Sequence, residues 1–151
     1  MPIQTRCACT RTRRAARALS DLYDHALAPV GLKVTQFSVL RTVQRMDRVS
    51  LSALGEEMAL DRSTLGRNLR LLEEMGLVAL SSGDDLRTQA AVLTRRGSLR
   101  LRRALPLWER VQQDVRDRLG SAGVDALFAT LEHIEALRPR SKVPERAHAT
   151  R

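Results

Sequence analysis

Six residues between positions 61 and 70 have types and spacing suited to chemistry: Asp61, Arg62, Ser63, Thr64, Arg67 and Arg70. Three arginines so close together point to a polyanion. The planar guanidinium reaches guanine O6 and N7 together and also binds phosphate. Serine and threonine hydroxyls add hydrogen bonds to phosphates and base edges. Wound as a helix at about 100° per residue, the stretch separates into two faces. Leu65, Leu69 and Leu72 share one stripe with Met75 at its edge, while Ser63, Arg67 and Arg70 lie opposite, flanked by Gly66. A glycine inside a helix costs roughly 1 kcal/mol against alanine, and close approach of the backbone to DNA is a reason to keep it. Glu73 and Glu74 fall in the C-terminal half, where repulsion from phosphate is weakest. The bland alternative is an amphipathic surface helix with a solvated arginine face.

Period and punctuation mark the elements that must hold these residues. Over 10–28 apolar residues recur at three- and four-residue steps (Ala15, Leu19, Leu22, Tyr23, Ala26), predicting a helix that stops at Pro29 and Gly31. Thr35 is expected to cap a second helix over 36–46, with Phe37, Leu40 and Val43 as its apolar row. Ser50 or Ser52 opens a short helix carrying Leu54 and Met58. After a brief turn, Asp61 is the expected N-cap of the arginine helix and Gly76 its closing residue. Short helix, turn and second helix make a helix-turn-helix, whose second helix enters the major groove with its N-terminal half leading.

Two apolar runs, 77–80 and 90–93, enclose "SSGDDLRTQ" and predict a two-stranded β-hairpin with a polar tip. Following a helix-turn-helix, such a hairpin is the wing of a winged helix. Arg87 near the tip suits an adjacent minor groove, where negative potential favours arginine. Asp85 is placed to orient it through an ion pair. Helical period returns over 94–119 through Leu101, Leu105, Trp108, Val111 and Val115, and Pro106 predicts a kink or break within it. A last helix is expected over 122–137. The remaining "PRSKVPERAHATR" is a basic tail without apolar periodicity, expected to be disordered. The domain reading is therefore 1–30 and 95–138 as dimerisation helices, 31–94 as the winged helix, and 139–151 as the tail.

The chain's 151 residues suffice for one domain's core. One Trp, one Tyr and two Phe leave that core to Leu, Val and Ala. Basic residues outnumber acidic ones 26 to 17, for a net charge of +9, and all but Lys33 and Lys142 are arginine. Such charge steers a protein toward polyanions and gains from counterion release, although an arginine-rich genome produces the same excess. No apolar run follows the N-terminal arginines and no segment approaches membrane-spanning length, so a cytoplasmic protein with no membrane partner is expected. Cys7 and Cys9 are too few for a disulfide scaffold.

The stretch "LGEEMALDRSTLGRNLRLLEEMGLV" (54–78), the Asp85-x-Arg87 pair and "AAVLTRRG" (90–97) together resemble the MarR family, the multiple antibiotic resistance regulators. The likeness is strong over residues 30–98, and Leu86 departs from it where many relatives carry a second arginine. It implies a mainly α (α+β) fold: a winged helix-turn-helix with a two-stranded β-wing and an all-helical dimerisation region from both chain ends. It also implies a homodimeric transcriptional regulator, a repressor, on double-stranded DNA. The helices at 10–28, 98–119 and 122–137 independently carry more apolar surface than one small domain covers. A two-fold dimer predicts a pseudo-palindromic operator with half-sites one turn, about 10 bp, apart.

By the same resemblance, DNA is released when a small molecule, often phenolic, binds between the dimerisation helices and the winged helix. Tyr23, His25, Phe37 and Trp108 are the candidates to line that crevice, with plain core filling as the alternative for each. Other relatives respond to thiol oxidation. Here Cys7 and Cys9 stand among Arg6, Arg11 and Arg13, and basic neighbours and a helix N-terminus lower a thiol's pKa. Neither His25 nor His133 has the spacing to complete a metal site with the cysteines, and Asp84 and Asp85 lack further ligands. No metal or other cofactor is expected. A Gly-rich phosphate loop, a nucleophile elbow and a metal-ligating histidine pair are all missing, which argues against an enzyme. Scarce aromatics argue against single-stranded RNA, and a winged helix serving as a protein-interaction module remains the third alternative.

Overall fold

Pro29 and Gly31 end the first helix together. Pro29 sits in a single 3-10 turn, Ala28–Val30, and Gly31 leaves it in the left-handed region at φ +65°. The computed structural model describes residues 7–81 and 89–137. In chain order these form α1 (Ala8–Leu27), α2 (Val34–Met46), β1 (Val49–Ser50), α3 (Leu51–Glu57), α4 (Arg62–Glu74), β2 (Val78–Leu80), β3 (Ala90–Leu93) and α5 (Arg95–Ala136). Asp85, Arg87 and the basic tail lie outside the described residues.

The chain forms two units, parted between Gln112 and Gln113. The first is built on one apolar core. Phe37, Val39, Leu40 and Val43 of α2 meet Leu54 of α3, Leu65, Leu69 and Leu72 of α4, Leu77, Ala91 and Leu101, all buried. Leu27 at the end of α1 and Ala104 of α5 are fully covered in the same core. The winged helix therefore shares its interior with helices from both sides of it in sequence. Burying a leucine or phenylalanine side chain is worth about 1.5–3 kcal/mol each, so this cluster is the main hold on the fold.

The sheet has three strands rather than the two expected, in the antiparallel order β1-β3-β2. Val49 and Ser50 pair with Ala91 and Ala90, and β2 pairs with β3 through Val78–Leu93, Ala79–Val92 and Leu80–Ala91. A two-residue strand has no periodicity of its own; β1 exists because β3 offers it a free edge.

Two further expectations are corrected. Thr35 does not cap the second helix, which begins at Val34 with Lys33 in the N-cap position. Gln36 Oε1 accepts from the Lys33 backbone N–H at 2.8 Å, and Asp24 Oδ1 of α1 accepts from Val34 N–H at 2.7 Å. Asp24 also pairs with the Lys33 ammonium at 3.2 Å, so its carboxylate fastens the end of one helix to the start of the next. Nor does Pro106 break the long helix, which keeps helical dihedrals through it and departs from them only at Gly120 (φ +70°, ψ 162°). Proline deprives the carbonyl four residues earlier of its donor. Here that carbonyl belongs to Arg102, and both Arg102 and Pro106 are exposed, so water can take the donor's place.

The second unit is helical around Gly120 and leaves Leu119, Phe128, Ile134 and Leu137 exposed. Along α1, every residue from Ala8 to Ser20 except half-buried Thr12 is exposed, Leu19 included. No helix among the described residues is long and apolar enough to cross a membrane.

Candidate nucleic-acid interface

The DNA-facing candidates are held from both ends of α4. At its start Asp61 is the N-cap, as its position before the leucine stripe predicted. Oδ1 accepts from Thr64 N–H at 2.9 Å and from the Ser63 hydroxyl at 2.7 Å, while Oδ2 accepts from the Thr64 hydroxyl at 2.6 Å. Those bonds, led by the Thr64 hydroxyl and then the Ser63 hydroxyl, hold the Asp61 carboxyl well below the usual carboxylate range. Ahead of the cap, α3 and α4 are joined by a turn in which Leu60 N–H reaches Gly55 O at 3.0 Å and Ala59 adopts positive φ (+50°). Arg45 of α2 and Glu57 of α3 form an ion pair that ties the supporting helix down.

At its far end α4 closes on Gly76, in the left-handed conformation at φ +68°, whose N–H donates to Glu73 O at 2.8 Å. The turn is locked to α5. The Thr94 hydroxyl donates to Gly76 O at 2.7 Å, with Leu77 O as a longer second acceptor at 3.2 Å, and it accepts from Gly97 N–H at 2.9 Å. Gly97 is required for this closeness: a Cβ there would stand 2.0 Å from Leu77 O.

Between these anchors the two faces separate as the spacing predicted. Leu65, Leu69 and Leu72 are buried, and Arg62, Ser63, Arg67 and Arg70 are exposed. These four residues come together on the walls of one open cleft of about 620 Å³ between α4 and the sheet. Gly66 lines it as well, and a Cβ at Gly66 would meet nothing within 4 Å, so the backbone there is bare. Thr64 is half-buried and is not among the lining residues. The structure adds Leu80 and Gln89, from the base of the hairpin, which the sequence reading missed. No local pattern marked them: they reach the cleft through strand pairing.

The effector candidates are brought together only in part. Phe37 and Trp108 stack, with ring centroids 5.7 Å apart, and Arg41 lies 4.3 Å over the Trp108 ring. With Arg45 they border a cleft of about 350 Å³. Phe37 is also a core residue, only 1% exposed. Tyr23 is half-buried and His25 exposed on α1, and neither is among that cleft's lining residues. Arg41 went unnoticed in the sequence, although its spacing of four from Phe37 puts both on one side of α2.

Cys7 and Cys9 are exposed, free thiols at the start of α1. Hydrogen bonding to Thr10, first through its backbone and then its side chain, moves the Cys7 thiol pKa below its ordinary value. Among the described residues no group of three or more His, Cys, Asp or Glu is arranged to hold a metal ion.

Comparison with known proteins agrees with this geometry. The family model described as "MarR family" matches residues 30–88. The Mycobacterium tuberculosis transcriptional regulator MosR, solved in complex with DNA, is 40% identical, with a TM-score of 0.75 over 88% of this chain and 99% of that one. The transcriptional repressor CouR bound to a 23-mer DNA duplex is 27% identical, with a TM-score of 0.76 over 87% of this chain and 94% of that one. An HTH-type transcriptional regulator of Bacillus subtilis (strain 168), YwoH, is 28% identical over 82 residues. That match covers 54% of this chain and only 60% of YwoH.

Proposed function

Because this chain belongs to the MarR family and is a DNA-binding transcriptional regulator of that family, we propose that it acts as a homodimeric repressor whose α4 reads the major groove of a pseudo-palindromic operator. The observation that carries this reading is the cleft face of α4. Arg62, Arg67 and Arg70 stand exposed around the bare backbone at Gly66, directly behind a fully buried leucine stripe. A helix built this way presents fixed positive charge and planar donors to a groove while its other side is held rigid. Arg62, Arg67 and Arg70 serve phosphates and guanine edges, Ser63 and Thr64 the leading edge of the helix. From the sequence pattern, Asp85 orients Arg87 for the minor groove.

Dimerisation is supported by what each unit leaves uncovered. Leu19 lies on an exposed α1, and Leu119, Phe128, Ile134 and Leu137 are exposed on the second unit. Isolated surface apolar residues need no explanation, but four large ones gathered on one small helical unit suit an interface. Release is assigned to a small phenolic or other aromatic effector in the cleft beside Phe37 and Trp108, since an aromatic floor edged by a few polar groups is what such ligands require. The domain roles follow: dimerisation by 1–30 and 95–138, DNA binding by 31–94.

A second reading of the switch, oxidation at Cys7 and Cys9, is favoured by one observation: both thiols are exposed and the pKa of Cys7 is lowered.

The test is a fluorescence-anisotropy titration of the full chain against the duplex upstream of its own gene, at 50 and 200 mM salt, with reduced and peroxide-treated protein. For six to ten phosphate contacts the affinity falls by about 10³–10⁵ between those salts. Binding indifferent to salt removes DNA from the account, and sedimentation as a monomer removes the dimer. Binding lost on oxidation and restored by thiol selects the cysteine switch over the aromatic effector.

A further inference from the structure

An ionised carboxylate only accepts hydrogen bonds. Each hydroxyl bonded to Asp61 must therefore be the donor, and each has one hydrogen to give. At 2.7 Å the Ser63 hydroxyl hydrogen points to Asp61 Oδ1, and at 2.6 Å the Thr64 hydroxyl hydrogen points to Oδ2. Thr64 N–H, one of the free amides at the start of α4, is also taken by Oδ1. What Ser63 turns into the cleft beside Arg62 and Arg67 is oxygen lone pairs alone.

We propose that Asp61 is a specificity-determining positioning residue: by claiming the Ser63 and Thr64 hydroxyl hydrogens it makes the leading edge of α4 an acceptor, selective for the exocyclic amino groups of adenine or cytosine. In the major groove adenine N6 and cytosine N4 are the donors, while guanine presents only N7 and O6 and thymine O4 and a methyl group. Phosphate oxygens are acceptors too. The carboxylate and the outward lone pairs therefore disfavour phosphate at this corner, even though helix N-termini ordinarily attract it. The phosphate-facing task passes to the arginines, and the Ser63 hydroxyl is left to read a base. This rests on the proposal that α4 faces the major groove, and deepens it from where the helix binds to which base edges its first turn accepts.

The test uses the full chain and a pool of duplexes with a randomised 25-bp centre. Duplexes retained by the wild type are resynthesised with each adenine replaced by purine, which lacks the N6 amino group, and each cytosine by 2-pyrimidinone, which lacks the N4 amino group. One position per half-site is expected at which the missing amino group weakens wild-type binding by roughly three- to tenfold, the range for a single hydrogen bond. Ser63→Ala is expected to bind the two forms of that duplex equally. Asp61→Gly weakens the N-cap only slightly and removes both carboxylate oxygens, so the Ser63 hydroxyl hydrogen is released. It is expected to accept guanine at the same position and to narrow the amino preference at least threefold. Thermal melting of both variants checks that α4 is intact. If duplexes are selected but no amino-sensitive position responds to Ser63→Ala, the acceptor role is overturned while groove binding by α4 stands. If the wild type retains no sequence from the pool, the reading of α4 as a sequence reader fails, and this inference with it.

Discussion

Replacing Gly66 by alanine separates folding from binding, because the structure assigns the two effects opposite signs. Inside a helix alanine is favoured over glycine by about 0.8–1.0 kcal/mol, chiefly through backbone entropy lost on folding. That gain is usually reduced by crowding, but a Cβ at Gly66 meets no atom within 4 Å. The full amount should appear as increased stability, a rise in Tm of about 2–4 °C for a chain of this size. The same methyl projects about 1.5 Å into the cleft bounded by Arg62, Ser63, Arg67 and Arg70. If the bare backbone is there so that DNA can approach it, close packing at that contact makes even one methyl group costly, by about 1–3 kcal/mol. The expected result is a protein that melts later and binds its promoter duplex at least fivefold more weakly, measured by calorimetry and anisotropy at one protein concentration. Lower stability would show that the space around Gly66 is not open. Raised stability with unchanged affinity would refute the claim that DNA approaches the backbone at this residue.

Gly97→Ala should be the opposite kind of change: its Cβ falls 2.0 Å from Leu77 O, backbone that cannot swing aside, so a loss of roughly 3 kcal/mol in urea unfolding is expected. Leu72→Ala, at a fully buried core position, should cost about 2–5 kcal/mol by the same assay. The depressed Asp61 pKa contributes stability that is complete above the unfolded carboxyl's pKa, near 3.9, and is lost as pH falls from there through the folded value. Urea midpoints should therefore drop below about pH 4 in the wild type and drop less steeply in Asp61→Asn. Arg67→Ala should weaken specific binding by about 1–3 kcal/mol and relax preference at one base pair, whereas a uniform loss with a smaller salt slope would move Arg67 to the phosphate backbone.

What the sequence disclosed follows how local each cause is. The Asp61 cap, the Gly76 stop and the leucine stripe of α4 depend on residues within a few positions, and all three stand as read. The start of α2 does not, because the Asp24 carboxylate that holds Val34 N–H comes from ten residues away in another helix. Thr35 looked like a cap only because that partner was out of view. β1 was hidden for the same reason, since its pairing partners Ala90 and Ala91 lie some forty residues on. At Pro106 the rule was sound but its consequence depended on exposure, which spacing does not report. Of the site, the arginine face was legible from period, whereas the direction of each hydroxyl hydrogen required coordinates.

The features of α4 that cost most are gathered on its cleft side. Gly66 sacrifices helix propensity, and Arg62, Arg67 and Arg70 crowd like charges within about two and a half turns. On the buried side no such conflict occurs: Leu65, Leu69 and Leu72 satisfy propensity, period and packing at once. Sequences that specify one structure agree across these levels except where function asks for something else. An exposed arginine face kept only for solubility gains nothing from a central glycine. The coincidence of both costs on one face, with none on the other, therefore favours recognition over solvation. The Asp61 charge suits a regulator in particular. Non-specific affinity is almost wholly electrostatic, so, with α4 in the groove as proposed, a carboxylate at its leading edge would lower binding to every sequence, and base pairs that satisfy Ser63 and the arginines would recover the loss.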